Sequence, residues 1–219
     1  MLQISKDASL LGMNFPFGLV DVTFPADEEL REGEFRALVE RELASLRDRF
    51  ADYDRKAVFG DQPYFRFFKK FKKTYPVMLQ MESVLLKGRP FPSFNPVAEA
   101  PFLLELTTQV LSGAHDIDSM MGPVELFLAT EKAPFMGMRG EPVHTYPGDF
   151  CARDNGGVIF SLIAGADART CARPETRRVL YPIFGTPDLP EPVIQEAMDT
   201  LAEYIRVLSP HAEILMMIL

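Results

Sequence analysis

The sequence predicts an α+β fold in which sheets and helices form layers around one buried central helix. Segments with a helical period and segments with a strand period are grouped along the chain, which argues against a doubly wound parallel sheet. The stretch 95–110 is apolar on more faces than a surface helix needs. With 219 residues, 47% of them hydrophobic, the chain fits one large domain or two closely fused halves; we expect a single domain over residues 1–219.

The first predicted elements are a strand and an amphipathic helix. Residues 18–24 (GLVDVTF) alternate apolar and polar side chains, which is the period of a half-buried strand. From Glu28 to Phe50 the apolar residues return every three or four positions, and Glu and Arg occupy the other side. We interpret the charged side as a solvated face.

The main basic cluster lies in residues 62–87, which Pro76 divides into two helices. Its rings recur at the spacing of a buried helical stripe, which leaves the lysines outside. Cations beside aromatics also suit phosphate contact and base stacking, so an RNA role for the lysines stays open. The ring positions are Tyr64, Phe67, Phe68 and Phe71. The candidate RNA-binding residues are Lys69, Lys70, Lys72, Lys73 and Arg89.

Asn95-Pro96 predicts the start of the central helix. Asn accepts hydrogen bonds from the unpaired first amides of a helix, and Pro at the first position has no amide hydrogen to satisfy. We expect this helix to run to about Val110, with a kink or restart at Pro101. Its apolar residues cover more than one face, so it should be buried on two sides.

Strands dominate the second half of the chain. Short apolar segments bounded by turn residues predict strands at 124–129, 149–153, 158–162 and 178–184. Residues 154–157 (DNGG) predict a hairpin turn, and residues 164–170 predict a loop. An amphipathic helix from Pro190 to Leu208 and a terminal strand from Ile214 to Leu219 complete the pattern, so we expect the C-terminus to be tied into a sheet.

Composition argues against several classes of protein. Cys151 and Cys171 have no disulfide-framework or zinc spacing, so we expect both to be buried apolar residues. No apolar run is long enough to span a bilayer and the first ten residues lack signal-peptide character, which predicts a cytoplasmic protein without a membrane partner. The net charge of −8 opposes non-specific nucleic-acid binding, so we expect no DNA partner, and an RNA partner requires a local basic patch. The pattern leaves the oligomeric state open.

The densest cluster of reactive side chains, His115-Asp116-Ile117-Asp118, follows the central helix. A neutral imidazole in a loop could position or deprotonate a water, and Asp116 or Asp118 could hold its tautomer. The alternatives are a surface loop with Asp118 as a helix cap, and a metal site completed by a distant ligand. No nucleophile-elbow, zinc-protease or nucleotide-binding motif is present, and we expect neither a metal nor a cofactor.

Several segments resemble, in consistent order over about residues 60–185, the B3/B4 domain of the bacterial phenylalanyl-tRNA synthetase β subunit and its free-standing relatives. The matching segments are Gly88-Arg89-Pro90, residues 95–99, Leu104-Glu105-Leu106, residues 115–118 with Gly122, Gly165, and residues 175–180. The spacing after Leu106 is longer than in the family, the family's TNYV segment is absent, and Pro182 falls where the family has a pocket glutamate.

In the synthetase this domain is the editing module, which hydrolyses the ester of a wrongly charged tRNA. The resemblance implies that His115 corresponds to the editing histidine and that Gly165 lies near the pocket glycine. We assign His115 to water or carbonyl positioning and Asp116 or Asp118 to orienting it. The candidate substrate-binding residues are Asn95, Gly165, Arg169 and Thr170; for Asn95, helix capping is the competing role.

Two functional hypotheses follow. The first is a stand-alone editing-like domain, an aminoacyl-tRNA deacylase that acts in trans on tRNA or aminoacyl-tRNA. The second is a non-catalytic module that binds tRNA, other RNA or an amino acid, which Pro182 and the acidic charge favour. A metal-assisted hydrolase is a third, weaker alternative. The sequence contains no aminoacylation core, so we do not expect a synthetase.

Overall fold

Helices and three β-sheets form in the residues that the computed structural model describes, 2–93 and 95–219. The α-helices are Glu32–Arg49 (α1), Arg55–Phe59 (α2), Pro63–Lys70 (α3), Pro76–Met81 (α4), Pro96–Thr108 (α5) and Glu191–Leu208 (α6). The strands are Ile4–Lys6 (β1), Phe17–Thr23 (β2), His115–Asp116 (β3), Val124–Leu128 (β4), Pro134–Met136 (β5), Pro142–His144 (β6), Phe150–Asp154 (β7), Gly157–Ser161 (β8), Gly165–Ala166 (β9), Arg178–Phe184 (β10) and Glu213–Ile218 (β11).

The strands pair mostly with antiparallel neighbours. The largest sheet has the order β1-β4-β7-β8-β9, in which only the β1–β4 pair is parallel. A second sheet has the order β11-β2-β10-β3, and β5 with β6 forms a separate hairpin. Helices and antiparallel strands are thus segregated along the chain, and the predicted α+β class is confirmed.

Most predicted elements are present with small shifts at their ends. The strand at 178–184 has the predicted bounds, and β11 pairs with β2, which ties the C-terminal segment into a sheet as expected. The predicted loop 164–170 is partly wrong, because Gly165 and Ala166 form β9 against β8. Strands β1, β3 and β5 are also missed by the sequence pattern, since strands of two or three residues carry too few positions to show a period.

Helix α5 is the buried central helix. Leu103, Leu104, Glu105 and Leu106 are consecutive and each is at most 5% exposed. Four successive helical positions point in four directions about 100° apart, so protein surrounds the helix on all sides. It packs against α1, α4 and α6.

Pro101 does not interrupt α5, so the expected restart at this position is wrong. A proline has no amide hydrogen, and the carbonyl of Val97, four residues earlier, therefore loses its partner within the helix. The hydroxyl of Tyr181 in β10 donates to that carbonyl at 2.9 Å. The neighbouring sheet thus satisfies the group that the proline leaves unpaired.

Aromatic side chains join α3 to the sheets. The ring centroids of Phe67 and Phe15 are 6.0 Å apart, and Phe15 stacks on Phe150 with a centroid distance of 5.4 Å. Tyr64, Phe67 and Phe68 are buried and Phe71 is half-buried, which confirms the predicted ring stripe of α3. The aromatic residues of the basic cluster belong mainly to the core.

The two cysteines differ in their surroundings. Cys151 in β7 is fully buried, as expected. Cys171 is only half-buried, so its predicted burial is wrong. Across residues 2–93 and 95–219, no helix is both long enough and apolar enough to cross a membrane.

Candidate functional site

His115 lies in β3 and is 1% exposed. The sequence places it in a loop beside a cleft, but the chain from Ser112 onward runs along β10 instead. Gly113 donates its amide to the carbonyl of Pro182 at 3.2 Å, and His115 pairs with Leu180. Strand pairing satisfies the backbone of this segment and carries the imidazole into the interior.

The imidazole of His115 is held by Thr170 rather than by a neighbouring aspartate. His115 Nδ1 lies 2.8 Å from Thr170 Oγ1, and the Thr170 hydroxyl donates to the carboxylate of Asp167. Because that hydroxyl uses its one hydrogen on Asp167, it accepts from Nδ1–H of His115. Nε2 then carries the lone pair, and a Cβ added at Gly113 would lie 3.8 Å from it.

Burial keeps this imidazole neutral at physiological pH. Desolvation lowers the pKa of His115 from 6.5 to about 4, because the charged form loses hydration that the apolar surroundings do not replace. The ring of Phe160 lies 5.7 Å away and is part of those surroundings. A neutral imidazole with a fixed tautomer is the form that can accept a proton or orient a water.

Asp116 and Asp118 face other partners. Asp116 accepts hydrogen bonds from the amide of Asp118 at 3.0 Å, the hydroxyl of Ser119 at 3.1 Å and the hydroxyl of Thr176 at 3.2 Å. Asp118 forms an ion pair with Arg178 at 2.8 Å. Of the two carboxylates it is Asp116, and not Asp118, that caps the short 3₁₀ turn Ile117–Ser119. Neither is hydrogen-bonded to His115 within the described residues.

Asn95 lies at the start of α5, next to the segment that holds Thr170. Its side-chain oxygen accepts from the amide of Val97 at 3.1 Å, which confirms the predicted capping role. Its side-chain nitrogen donates to the carbonyl of Ala172 at 3.4 Å. The structure therefore brings Asn95, His115 and Thr170 together around residues 167–172.

Arg169 and Gly165, two of the predicted substrate-binding residues, lie in positions that the fold itself explains. The guanidinium of Arg169 forms a two-point ion pair with Asp154 at 2.8 and 2.9 Å and also donates to the carbonyl of Ser119. Gly165 is exposed with a φ of +93°, a conformation that favours glycine, and a Cβ there would contact nothing within 4 Å. Neither residue is hydrogen-bonded to the imidazole of His115 in the part of the chain described.

A polar cavity of about 190 Å³ lies beside Asn95, where α1 approaches the start of α5. Arg36 lines it and forms an ion pair at 2.5 Å with Glu99, a fully buried residue of α5. His115 is not among its described lining residues.

The predicted RNA-binding lysines are all exposed. Lys69 and Lys70 form the last turn of α3, and Lys72 and Lys73 follow it, with Lys72 in a left-handed turn at a φ of +56°. We call these four residues the lysine face. None of them forms a salt bridge with a residue in 2–93 or 95–219. Arg89 is exposed on a separate segment after α4.

Sequence reasoning misses two residues near these sites. Asp167 accepts from both the amide and the hydroxyl of Thr170, and the only signal is the Asp-x-x-Thr spacing of a local turn. Tyr146 lies beneath Lys73, whose ammonium is 5.3 Å from the ring centroid, although 73 residues separate them in sequence. Nothing in the pattern connects those two positions.

Among residues 2–93 and 95–219, no three His, Cys, Asp or Glu side chains lie close enough together to hold a metal ion.

Comparisons with known proteins show a structural likeness and no match in sequence. No family model matches the chain, and no curated protein matches its sequence. Among solved structures, it is similar to an N-terminal fragment of the phenylalanyl-tRNA synthetase β subunit from Pyrococcus horikoshii, with a TM-score of 0.49 and 11% identity. The similarity covers 97% of this chain and 50% of that fragment, so the chain spans about half the fragment's length.

Proposed function

We propose that this chain binds tRNA or aminoacyl-tRNA through a domain of the B3/B4 type. The observation that carries the proposal is the lysine face, four exposed cations without salt bridges among the described residues of a protein whose net charge is −8. An acidic protein repels a polyanion unless it offers such a local patch. The motif resemblance at residues 88–122 and 165–180 supports tRNA as the class of RNA.

The position of the aromatic rings supports a phosphate-contacting role for these lysines. Phe67 and Phe68 are buried against the core, which fixes the C-terminal turn of α3 and points Lys69 and Lys70 outward. A rigid helix end holds ammonium groups near a phosphate backbone at a smaller entropy cost than a mobile tail does.

Replacing all four residues of the lysine face by alanine is expected to weaken tRNA binding and flatten its salt dependence. Each lost phosphate contact lowers the slope of log affinity against log salt by about 0.7–0.9, so four contacts change it by about 3. The measurement is tRNA affinity at several salt concentrations between about 50 and 200 mM.

The chain supplies a matched control, because its other four lysines, Lys6, Lys56, Lys87 and Lys132, are also exposed. Replacing those four by alanine makes the same change in net charge. We expect that control to retain most of the wild-type slope. Equal slopes in the two variants would mean that net charge, and not the lysine face, determines binding.

A second candidate function, hydrolysis of a mischarged aminoacyl-tRNA, is favoured by the hydrogen-bond chain His115–Thr170–Asp167. Hydrolysis of an ester needs a positioned water and a group that accepts its proton, and Nε2 of a neutral His115 is suited to that role. Since His115 is 1% exposed, the ester reaches Nε2 only if the surrounding side chains move. This proposal includes a role in substrate binding for Asn95, Gly165 and Arg169. It also includes the organisation of residues 1–219 as a single domain.

Thr170→Val is expected to reduce deacylation of a mischarged tRNA by roughly 10- to 100-fold, because it removes the hydroxyl that orients His115 while keeping the side-chain volume. The matched control is Thr176→Val, which removes a buried hydroxyl from Asp116 instead. His115→Ala should abolish the reaction. The measurement is the single-turnover rate over a panel of mischarged tRNAs, with circular dichroism to verify folding.

If Thr176→Val lowers the deacylation rate more than Thr170→Val does, then Asp116, and not Thr170, orients His115. If the wild type hydrolyses no member of the panel but binds tRNA, hydrolysis is excluded for those substrates and the binding function stands alone.

A further inference from the structure

Three rings from distant parts of the chain meet beside the lysine face. Tyr146 lies 4.6 Å from His144 and 6.1 Å from Phe71, measured between ring centroids. All three rings are half-buried, and the ammonium of Lys73 lies 5.3 Å from the Tyr146 centroid. We call Phe71, His144 and Tyr146 the aromatic platform.

The hydroxyl of Tyr146 distinguishes it from the other tyrosines. The chain has six tyrosines, and the hydroxyls of five donate to protein acceptors: Tyr53, Tyr64, Tyr75, Tyr181 and Tyr204. That of Tyr146 has no hydrogen bond within residues 2–93 and 95–219. A half-buried tyrosine whose ring lies beside a cation, and whose hydroxyl has no protein partner among the described residues, is suited to contact a ligand.

The platform is held in place by buried hydrogen bonds. Thr145, between His144 and Tyr146, is 0% exposed; its hydroxyl donates to the carbonyl of Glu131 at 2.8 Å and accepts from the amide of Ala133 at 2.9 Å. Nδ1 of His144 donates to the carbonyl of Thr145 at 2.8 Å, which fixes the orientation of that ring. The rings therefore require little ordering when a ligand binds.

We infer that the aromatic platform stacks an unpaired nucleobase of RNA while the lysine face contacts the neighbouring phosphates. Stacked rings beside cations are the combination that binds single strands, since every base has a π-face and every nucleotide a phosphate. In a duplex the base faces are already covered by their neighbours, and a half-buried ring cannot reach them. This inference rests on the proposed function and narrows its substrate to a single-stranded segment or end of the RNA.

The test compares a single-stranded RNA of about ten nucleotides, carrying one 2-aminopurine, with a duplex of the same sequence. Stacking quenches the fluorescence of 2-aminopurine, so the probe reports contact with the platform as well as affinity. We expect tighter binding of the single strand and quenching by the wild-type protein. Tyr146→Ala should lose roughly 5- to 100-fold in affinity for the single strand together with the quenching.

Tyr146→Phe is the matched control, because it keeps the ring and removes only the hydroxyl. It should bind the single strand within about twofold of the wild type and retain the quenching. His144→Ala provides a second test, at a residue whose ring lies beside Tyr146 and donates to the carbonyl of Thr145. We expect a smaller loss there than in Tyr146→Ala.

The outcomes separate this inference from the function on which it rests. If the wild type binds RNA through the lysine face but Tyr146→Ala neither weakens binding nor restores fluorescence, base stacking is wrong and RNA binding stands. Equal affinity for duplex and single strand would also overturn the inference. If the wild type binds neither RNA, both the proposed function and this inference fall.

Discussion

Glu105→Gln is expected to remove a large loss of stability that the wild-type protein suffers as the pH rises. Glu105 in α5 is 5% exposed, and burial raises the pKa of its carboxyl from 4.5 to about 8. Below pH 4.5 the group is protonated in both the folded and the unfolded chain. Between pH 4.5 and 8 the unfolded chain releases this proton while the folded chain retains it, so the free energy of unfolding falls by up to about 5 kcal/mol.

Glutamine cannot ionise and keeps an oxygen that can accept from the amide of Ser112, which lies 2.9 Å from Oε1 of Glu105. The variant should therefore gain stability relative to the wild type steadily across this pH range. Urea denaturation at several pH values measures the difference, and Glu196→Gln, at an exposed position of α6, controls for the loss of one carboxylate. Parallel curves for the wild type and Glu105→Gln would show that folding does not raise the pKa of Glu105.

Gly185→Ala is expected to destabilise the fold by about 3 kcal/mol or more. A Cβ at Gly185 would lie 2.0 Å from the carbonyl oxygen of Pro16 and 2.7 Å from Pro16 Cγ. The obstructing oxygen belongs to the backbone, so no side-chain rotation can relieve the collision. The strain falls at the end of the β2–β10 pairing, where Phe17 meets Phe184.

Gly33→Ala is the matched control for this substitution. Gly33 lies in the first turn of α1, and a Cβ there would contact nothing within 4 Å. Because alanine has the higher helix propensity, this variant should be unchanged or more stable by up to about 1 kcal/mol. Urea denaturation measures both effects. The midpoint should fall strongly in Gly185→Ala and should be unchanged or slightly higher in Gly33→Ala. Similar midpoints would contradict the predicted close approach at Gly185.

The sequence pattern predicts the elements that carry a long hydrophobic period. The amphipathic helices α1 and α6, the central helix α5 and the strand β10 are all visible in it, because each has enough positions to show which residues face the core. The cap at Asn95 and the buried rings of α3 follow from local rules as well.

The candidate site is less accessible to sequence reasoning. Adjacency in the chain suggests Asp116 and Asp118 as partners of His115. Successive residues of a strand point to opposite faces, so Asp116 points away from His115, and Asp118 lies in the following 3₁₀ turn, where it pairs with Arg178. The actual partner, Thr170, is 55 residues distant and is delivered by tertiary pairing alone. The aromatic platform is hidden for the same reason, since Phe71 and Tyr146 meet only in the folded protein.

The bond between Tyr181 and the carbonyl of Val97 makes two distant positions interdependent. A residue other than proline at position 101 would supply an amide to that carbonyl, whose oxygen can accept two hydrogen bonds, so the Tyr181 hydroxyl would no longer be needed to satisfy it. With Pro101 present, removal of the hydroxyl leaves a buried carbonyl without its partner. The free-energy effects of changes at 101 and 181 are therefore not additive, because the loss of the Tyr181 hydroxyl costs more when position 101 is proline than when it supplies an amide.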